Sequence, residues 1–170
     1  AENLAFLPDV CSSSDDCGYW VMDYEGTDTA MARVTSNYHT YGVMYNFNAA
    51  EQACPEGWHL PSGEEWNELE SYLKANGYSG TEGNALKAKE GWQEGGNGTN
   101  AFRFNALPGG YRSTVSFSFT DEGYASFLWS NDFNVGEGLR NRALYSDNKT
   151  LEIYSNHSND GCYVRCIKDK

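Results

Sequence analysis

The chain has 170 residues, about the length of one domain, and 39% of them are hydrophobic and 15% aromatic, which excludes a largely disordered chain. Twelve basic residues against 24 acidic ones give a formal net charge of −12, which argues against a nucleic-acid-binding protein because affinity for phosphate requires clustered cations. The longest apolar runs are only a few residues, far short of the roughly 18–20 needed to cross a bilayer, so we expect no membrane span.

Residues 1–40 alternate short apolar clusters with Gly, Ser, Asp and Thr, which predicts loops and short strands. Residues 41–76 contain two predicted helices. The first covers about 46–53 and is stopped by Pro55. We expect each helix to pack one face on a sheet.

The second helix has the clearer signals. Ser62 and Glu65 form a capping-box pattern, and apolar side chains follow at helical spacing. An Asn-Gly pair ends the pattern. The sequence therefore predicts a helix over about 63–75.

The rest of the chain is predicted to be a long ordered loop followed by a β-rich half. Residues 77–100 are rich in Gly and Asn, with one helical or turn-like island at 85–88. No repeat or linker divides the chain, so we predict one α+β domain over 1–170. The β-rich half covers 101–170, with a sharp turn at 107–112 and candidate strands at 102–104, 117–119, 125–129, 142–145, 150–154 and 162–168.

Five cysteines, none in a C-x-x-C pair, favour an exported protein over a zinc or redox site. Cys11 and Cys17 bracket a polar loop and are predicted to bond. Cys162 and Cys166 would stand roughly 13 Å apart on one face of a strand, beyond the ~7 Å Cα limit for a disulfide. Cys54 is therefore expected to pair with one of these two, leaving the other free or bonded to another molecule.

No catalytic constellation is evident, and the chain is predicted not to be an enzyme. The three histidines are scattered, with no H-E-x-x-H motif, and no serine lies in a G-x-S-x-G elbow. His59, between Trp58 and Leu60, is predicted to be a hydrogen-bonded structural residue.

Segment 129–160 carries the candidate binding residues. Its Tyr, Ser, Asn and Gly content is typical of adaptable binding surfaces, although polar turns between short strands have the same composition. The candidate ligand-binding residues are Trp129, Asn131, Asp132, Asn134, Asn141, Tyr145, Asn148, Tyr154, Asn156, His157 and Asn159.

Several blocks together resemble one family. They are YGVMYN at 41–46, ACPEGWHLPS at 53–62, ALPGGYR at 106–112 and VRCIKD at 164–169. They are similar to the Fibrobacter succinogenes major paralogous domain of exported bacterial proteins, and the resemblance covers nearly the whole chain. It implies a C-type-lectin-like fold, shared with formylglycine-generating sulfatase-modifying enzymes, with two helices packed on small antiparallel sheets and a long loop region.

The resemblance also implies particular sites. It implies Cys54–Cys166 and Cys11–Cys17 disulfides and an unpaired Cys162. Members usually carry a strand before residues 1–4, so such a strand could come from another chain. No cofactor is expected except Ca²⁺ as a weak alternative, because 129–132 resembles a lectin calcium strand while its Glu-Pro-Asn or Gln-Pro-Asp partner motif is absent. The calcium candidates are Asn131 and Asp132.

These features predict a non-enzymatic, exported adhesin or receptor module on a bacterial surface or pilus, with a protein or glycan ligand. The ligand face would be the 129–160 segment, as in lectin-like proteins diversified by retroelements. One alternative is a structural surface or pilus subunit without a soluble ligand, which takes its first strand from a neighbour. Another is an oxidase, or a relic of one, of the sulfatase-modifying type, which requires two free neighbouring thiols at Cys162 and Cys166.

Overall fold

The structure, a computed structural model, describes residues 2–134 and 138–170 and has an α+β architecture. Two turns of other helix types lie at Lys74–Tyr78 (π) and Gln93–Gly95 (3₁₀). The α-helices are α1 Thr29–Arg33, α2 Ser36–Tyr41, α3 Phe47–Ala53, α4 Gly63–Leu73 and α5 Glu82–Leu86. The strands are β1 Tyr19–Trp20, β2 Met44–Tyr45, β3 Trp58–His59, β4 Gly109–Ser113, β5 Ser118–Glu122, β6 Ala125–Asn134, β7 Gly138–Tyr145, β8 Glu152–Asn156, β9 Cys162–Tyr163 and β10 Ile167–Lys168.

Both predicted helices are confirmed, and side-chain caps start each of them. The Asn46 side chain accepts a hydrogen bond from the Ala49 N–H at the start of α3 (2.9 Å). At α4, Ser62 Oγ accepts from the Glu65 N–H (3.2 Å) while Glu65 Oε2 accepts from the Ser62 N–H (2.9 Å), which completes the capping box.

The prediction of loops and short strands over 1–40 is wrong in part, because α1 lies there and α2 begins there. The Asp28 side chain caps α1 by accepting from the Ala30 N–H (2.8 Å), and Thr35 Oγ1 caps α2 by accepting from the Tyr38 N–H (3.2 Å). Within the predicted loop at 77–100, α5 is also a helix. These helices are too short to show apolar periodicity. Capping residues were the only signal for α1 and α2, whereas α5 has no side-chain cap and overlaps the helical or turn-like island predicted at 85–88.

Strand β6 is the centre of an eight-stranded sheet. It pairs antiparallel with β7 along one edge, and β7 pairs with β8. On its other edge β6 meets β4 and β9 in parallel over short stretches, which gives the order β1-β2-β9-β6-β4-β5. A separate two-stranded sheet joins β3 to β10.

Two strand predictions need correction. Residues 102–104 form no strand, since Arg103 lies in the left-handed region (φ 57°) and breaks the extended backbone. The predicted strand 162–168 is divided into β9 and β10, which belong to different sheets. The predicted turn at 107–112 overlaps β4, since residues 109–112 belong to that strand and only 107 and 108 precede it.

The core fills both faces of the central sheet. Phe127 and Trp129 of β6 face one side, where α3 packs through Phe47. Leu128 faces the other side, where α4 contributes Trp66. No helix within the described ranges combines the length and apolar character needed to cross a membrane.

Both expected disulfides are present. Cys11 bonds Cys17 and Cys54 bonds Cys166, while Cys162 is free and buried. The second bond ties the end of α3 to the segment between β9 and β10, across 112 positions of sequence.

Candidate ligand-binding surface

Three of the predicted ligand residues lie inside the protein, which corrects the sequence interpretation. Trp129 and Asn141 have no exposed surface, and Asn156 is 8% exposed. The Trp129 Nε1–H donates to the Tyr45 carbonyl oxygen (2.7 Å), so this ring is a hydrogen-bonded core residue. A ligand at the surface cannot contact these three side chains.

Two further candidates, on β6, lie beside the start of α4. Asn131 lines a surface cavity of about 460 Å³ together with His59 and Glu64. The Asp132 carboxylate lies so close to Gly63 that a Cβ atom there would come within 2.5 Å of its Oδ2. Across residues 2–134 and 138–170, no group of three or more His, Cys, Asp or Glu side chains could hold a metal ion, so calcium binding at Asn131 and Asp132 stays a prediction.

The remaining polar candidates lie in two turns. Asn148 Oδ1 accepts from the Thr150 N–H (3.0 Å) and holds the turn between β7 and β8. The Asn159 N–H donates to Nδ1 of His157 (3.4 Å), whose side chain is exposed. The Asn134 side chain lies outside the described part of the chain.

Tyr145 and Tyr154 do come together, within a cluster of aromatic rings that we call the tyrosine patch. Phe127 is its base, 3% exposed, and its ring centroid lies 4.8 Å from Tyr111, 5.8 Å from Tyr145 and 5.5 Å from Tyr154. Tyr124 packs on Tyr145 at 6.0 Å. Tyr111, Tyr124 and Tyr145 are partly exposed, and Tyr154 is 45% exposed.

The strand register explains why these rings meet. Phe127 is paired with Ala143, and Tyr145 is paired with Ala125, so each large ring is opposite a methyl group. The small partners leave room for the rings to pack diagonally across the strands. Because the patch residues come from β4, β6, β7, β8 and the turn before β6, the sheet fixes their spacing.

The chain matches the model of the Fibrobacter succinogenes major domain (Fib_succ_major) over residues 2–168. It belongs to this family. Comparisons with curated proteins and with solved structures gave no significant match.

A buried polar network supports the tyrosine patch of this Fib_succ_major domain. Asn141 Nδ2 donates to Asn156 Oδ1, and Asn156 Nδ2 donates to Asp160 Oδ2 (2.9 Å). Asp160 also accepts from the backbone N–H groups of His157 (3.0 Å) and Thr114 (2.8 Å). The network fixes the end of β8 and the following turn, so the buried asparagines are positioning residues for this face.

The phenols of Tyr124 and Tyr145, two of the patch residues, have raised pKa values. Burial raises the pKa of Tyr145 to about 12, and the nearby Tyr154, Asp121 and Glu152 add to the shift. The Tyr124 hydroxyl donates to Asp147 Oδ2 (2.9 Å), which raises the pKa of Tyr124. At physiological pH these side chains therefore offer aromatic faces and hydroxyl groups rather than phenolates.

His59 has hydrogen-bonding partners, as the sequence predicted. Its ring nitrogens lie 2.6 Å from Asp169 Oδ1 and 3.0 Å from Glu65 Oε1. These contacts tie α4 to the segment after β10 and give the cavity beside Asn131 an acidic lining.

Sequence reasoning missed Tyr111, Tyr124 and Phe127, which lie outside 129–160. The signal that could have found them is the apolar alternation of β6 combined with the pairing of β4 and β7. That register is a tertiary property and could not be read from one strand alone.

Proposed function

We propose that this chain is a non-enzymatic ligand-binding module of an extracellular or surface-displayed protein, and that it binds a protein or glycan through the tyrosine patch. The observation that carries the proposal is a set of four partly exposed tyrosines from four segments of the chain, packed around the buried Phe127 of β6. Tyrosine gives a large contact area with little loss of conformational freedom, which suits recognition. Two disulfides support an oxidising, extracellular location.

A C-type-lectin-like architecture is part of the same proposal. It is supported by two well-capped helices, α3 and α4, that pack on opposite faces of a curled sheet. The Cys54–Cys166 bond between the first of these helices and the last part of the chain also supports it. In such an arrangement the β-rich second half presents the ligand face.

The cysteine arrangement argues against the sulfatase-modifying type of oxidase. That chemistry needs two free neighbouring thiols, whereas Cys166 is bonded to Cys54. The remaining thiol, Cys162, is fully buried, and burial raises its pKa well above the ordinary value. A thiol in this state is a poor nucleophile.

A structural surface or pilus subunit is a second candidate function, favoured by the outer edge of β8. This strand pairs with β7 and with no further strand in the described ranges, and it exposes Ile153 and Tyr154. Such an edge could accept a strand from a neighbouring subunit. This candidate predicts concentration-dependent assembly, which analytical ultracentrifugation would detect.

The test of the binding proposal compares the wild type with Tyr154→Ala and with the Tyr145→Ala/Tyr154→Ala double variant on arrays of glycans and purified surface proteins. Tyr72→Ala is the matched control, since Tyr72 is an equally exposed tyrosine on α4 (56%). We expect specific signals that the control keeps and both patch variants lose, with unchanged circular dichroism. If the double variant keeps the binding signals of the wild type, the tyrosine patch is not the binding site.

A further inference from the structure

We propose that the tyrosine patch recognises arginine and lysine side chains on a basic segment of a partner protein. This inference rests on the proposed binding function and specifies the chemistry of the ligand. It is carried by the combination of exposed aromatic faces with nearby carboxylates that form no ion pair within the described part of the chain.

The carboxylates surround the patch from different elements. Asp121 belongs to β5, Asp147 lies in the turn after β7, and Glu152 begins β8. Asp147 contacts the patch directly through the Tyr124 hydroxyl (2.9 Å). Within residues 2–134 and 138–170, none of the three forms an ion pair.

Two cations near this face are buried and donate to backbone carbonyls rather than to the carboxylates. Lys87 is 1% exposed, and its Nζ donates to the backbone carbonyls of Tyr145 and Asn148 (both 2.9 Å). Arg112 of β4 is fully buried, and its guanidinium donates to backbone carbonyls. Lys149 is the exposed cation of the turn beside Asp147.

A cation on this surface would meet two favourable interactions at once. Tyrosine faces attract guanidinium and ammonium groups through the ring quadrupole. Nearby carboxylates add charge-assisted hydrogen bonds, and a guanidinium can donate two of these in parallel. A neutral sugar would stack on the same rings and donate hydroxyl groups to the carboxylates, but it carries no positive charge to balance theirs. The combination of several carboxylates with aromatic faces therefore favours the cationic partner over a glycan.

The acidity of the patch must be separated from that of the whole protein. Four of the 12 basic residues are buried, against two acidic residues among those described, so the surface is even more acidic than the net charge of −12 indicates. Any basic peptide would therefore be attracted weakly to many places. The controls below compare variants of equal charge for this reason.

The experiment titrates the protein with a 12-residue peptide of alternating Arg and Ser, with its Glu-Ser counterpart, and with cellohexaose. Calorimetry gives the affinity, and NMR of protein labelled with ¹³C in its tyrosine rings gives the place of binding. We expect the Arg peptide alone to bind, with shifts concentrated on Tyr111, Tyr124, Tyr145 and Tyr154. Affinity should fall when NaCl is raised from about 50 to 300 mM.

Two pairs of variants identify the interaction. Asp121→Asn/Asp147→Asn should weaken Arg-peptide binding about fivefold or more, whereas Glu56→Gln/Glu68→Gln, with the same net charge, should leave it nearly unchanged. Asn is suitable at position 121 because the backbone there is left-handed (φ 64°). Tyr154→Phe keeps the aromatic face and should bind, while Tyr154→Ala should lose about fivefold or more.

Three results would overturn the inference. Equal losses in the two charge variants would mean general attraction to an acidic surface. Cellohexaose binding at the patch without Arg-peptide binding would identify a glycan site, and the proposed binding function would stand. If no probe shifts the patch tyrosines, the cationic ligand is wrong, and the array experiment on Tyr154→Ala then decides separately whether the patch binds anything.

Discussion

Three arginines are almost completely buried, and neutral oxygen atoms rather than carboxylates receive their hydrogen bonds. Arg112 donates to the carbonyls of Ser13 (2.9 Å), Asp15 (3.1 Å) and Asn159 (3.0 Å). Arg165 donates to the carbonyls of residues 104 and 105, and Arg142 to an oxygen of residue 67. A guanidinium with five donors can join loops that are distant in sequence, which explains its use here.

Replacing Arg112 should destabilise the protein strongly. Arg112→Met leaves the Ser13 and Asn159 carbonyl oxygens without the guanidinium donor, whereas the Asp15 carbonyl still accepts from the Trp20 Nε1–H (3.2 Å). Each buried carbonyl left without a donor costs about 1–3 kcal/mol, so we expect the free energy of unfolding, measured in urea, to fall by at least about 2 kcal/mol. Arg33→Met is the control, because Arg33 is exposed and donates to one carbonyl, that of Leu7. Similar losses in both variants would contradict this role of Arg112.

Cys162 should react with a thiol reagent only after unfolding. The thiolate is the reactive form, and burial raises the pKa of Cys162 well above its ordinary value. At pH 8 we expect no rapid reaction of the native protein with Ellman's reagent, and one thiol per chain in denaturant. Five thiols should appear after reduction and denaturation. Two rapidly reacting native thiols would restore the oxidase alternative.

At the scale of elements, local signals predicted some structures and could not predict others. The caps Asn46 and Ser62 lie beside apolar periodicity, so α3 and α4 were predictable. The β-rich half was recognised by alternation, but alternation does not tell which face of a strand is covered. Trp129 and Tyr154 therefore seemed equivalent candidates, although neighbouring elements bury the first and leave the second 45% exposed.

His59 ties α4 to the end of the chain through its contacts with Glu65 and Asp169. We expect these contacts to stabilise the folded protein most at mildly acidic pH. The pKa of His59 is raised first by its hydrogen bond to Asp169 and then by that to Glu65. Burial opposes ionisation of Glu65, but the Ser62 N–H and His59 outweigh it and lower the pKa of Glu65. The stabilisation that depends on protonated His59 is fully present below the pKa that His59 has in the unfolded chain. It is lost as the pH rises through the higher pKa that His59 has in the folded protein. The stabilisation that depends on ionised Glu65 is lost as the pH falls through the lowered pKa that Glu65 has in the folded protein.

The corresponding measurement is the melting temperature of the wild type and His59→Gln between pH 4 and 9. We expect the advantage of the wild type to be largest near pH 5–6, between the ordinary pKa values of Glu and His, and to decline above neutrality. Asp169→Asn should reduce the advantage over the same range. If the difference in melting temperature between the wild type and His59→Gln does not change with pH, the contacts of His59 stabilise the protein independently of its charge.

For the whole molecule, contacts between distant parts of the chain close the fold. The Leu4 N–H donates to the Val164 carbonyl (2.8 Å), and the Leu4 carbonyl accepts from the Val43 N–H (3.2 Å). Residue 4 is thus bonded to segments beside β2 and β9 at once. The Cys54–Cys166 bond joins the same part of the molecule covalently. Neither contact could be located from local sequence patterns, and the disulfide was expected because of the family resemblance.

The two disulfides should therefore differ in their contribution to stability. In the chain-entropy model, a loop of 112 positions contributes about 4–5 kcal/mol, and one of six positions contributes about 2–3 kcal/mol. We expect Cys54→Ala/Cys166→Ala to lose roughly 2 kcal/mol more free energy of unfolding in urea than Cys11→Ala/Cys17→Ala. Equal losses would mean that, in the unfolded chain, the region around residue 54 already stays close to the region around residue 166. The Cys54–Cys166 bond would then remove few additional conformations from the unfolded chain. A larger loss in the long-loop variant would confirm that closing the longer loop restricts the unfolded chain more than closing the short one.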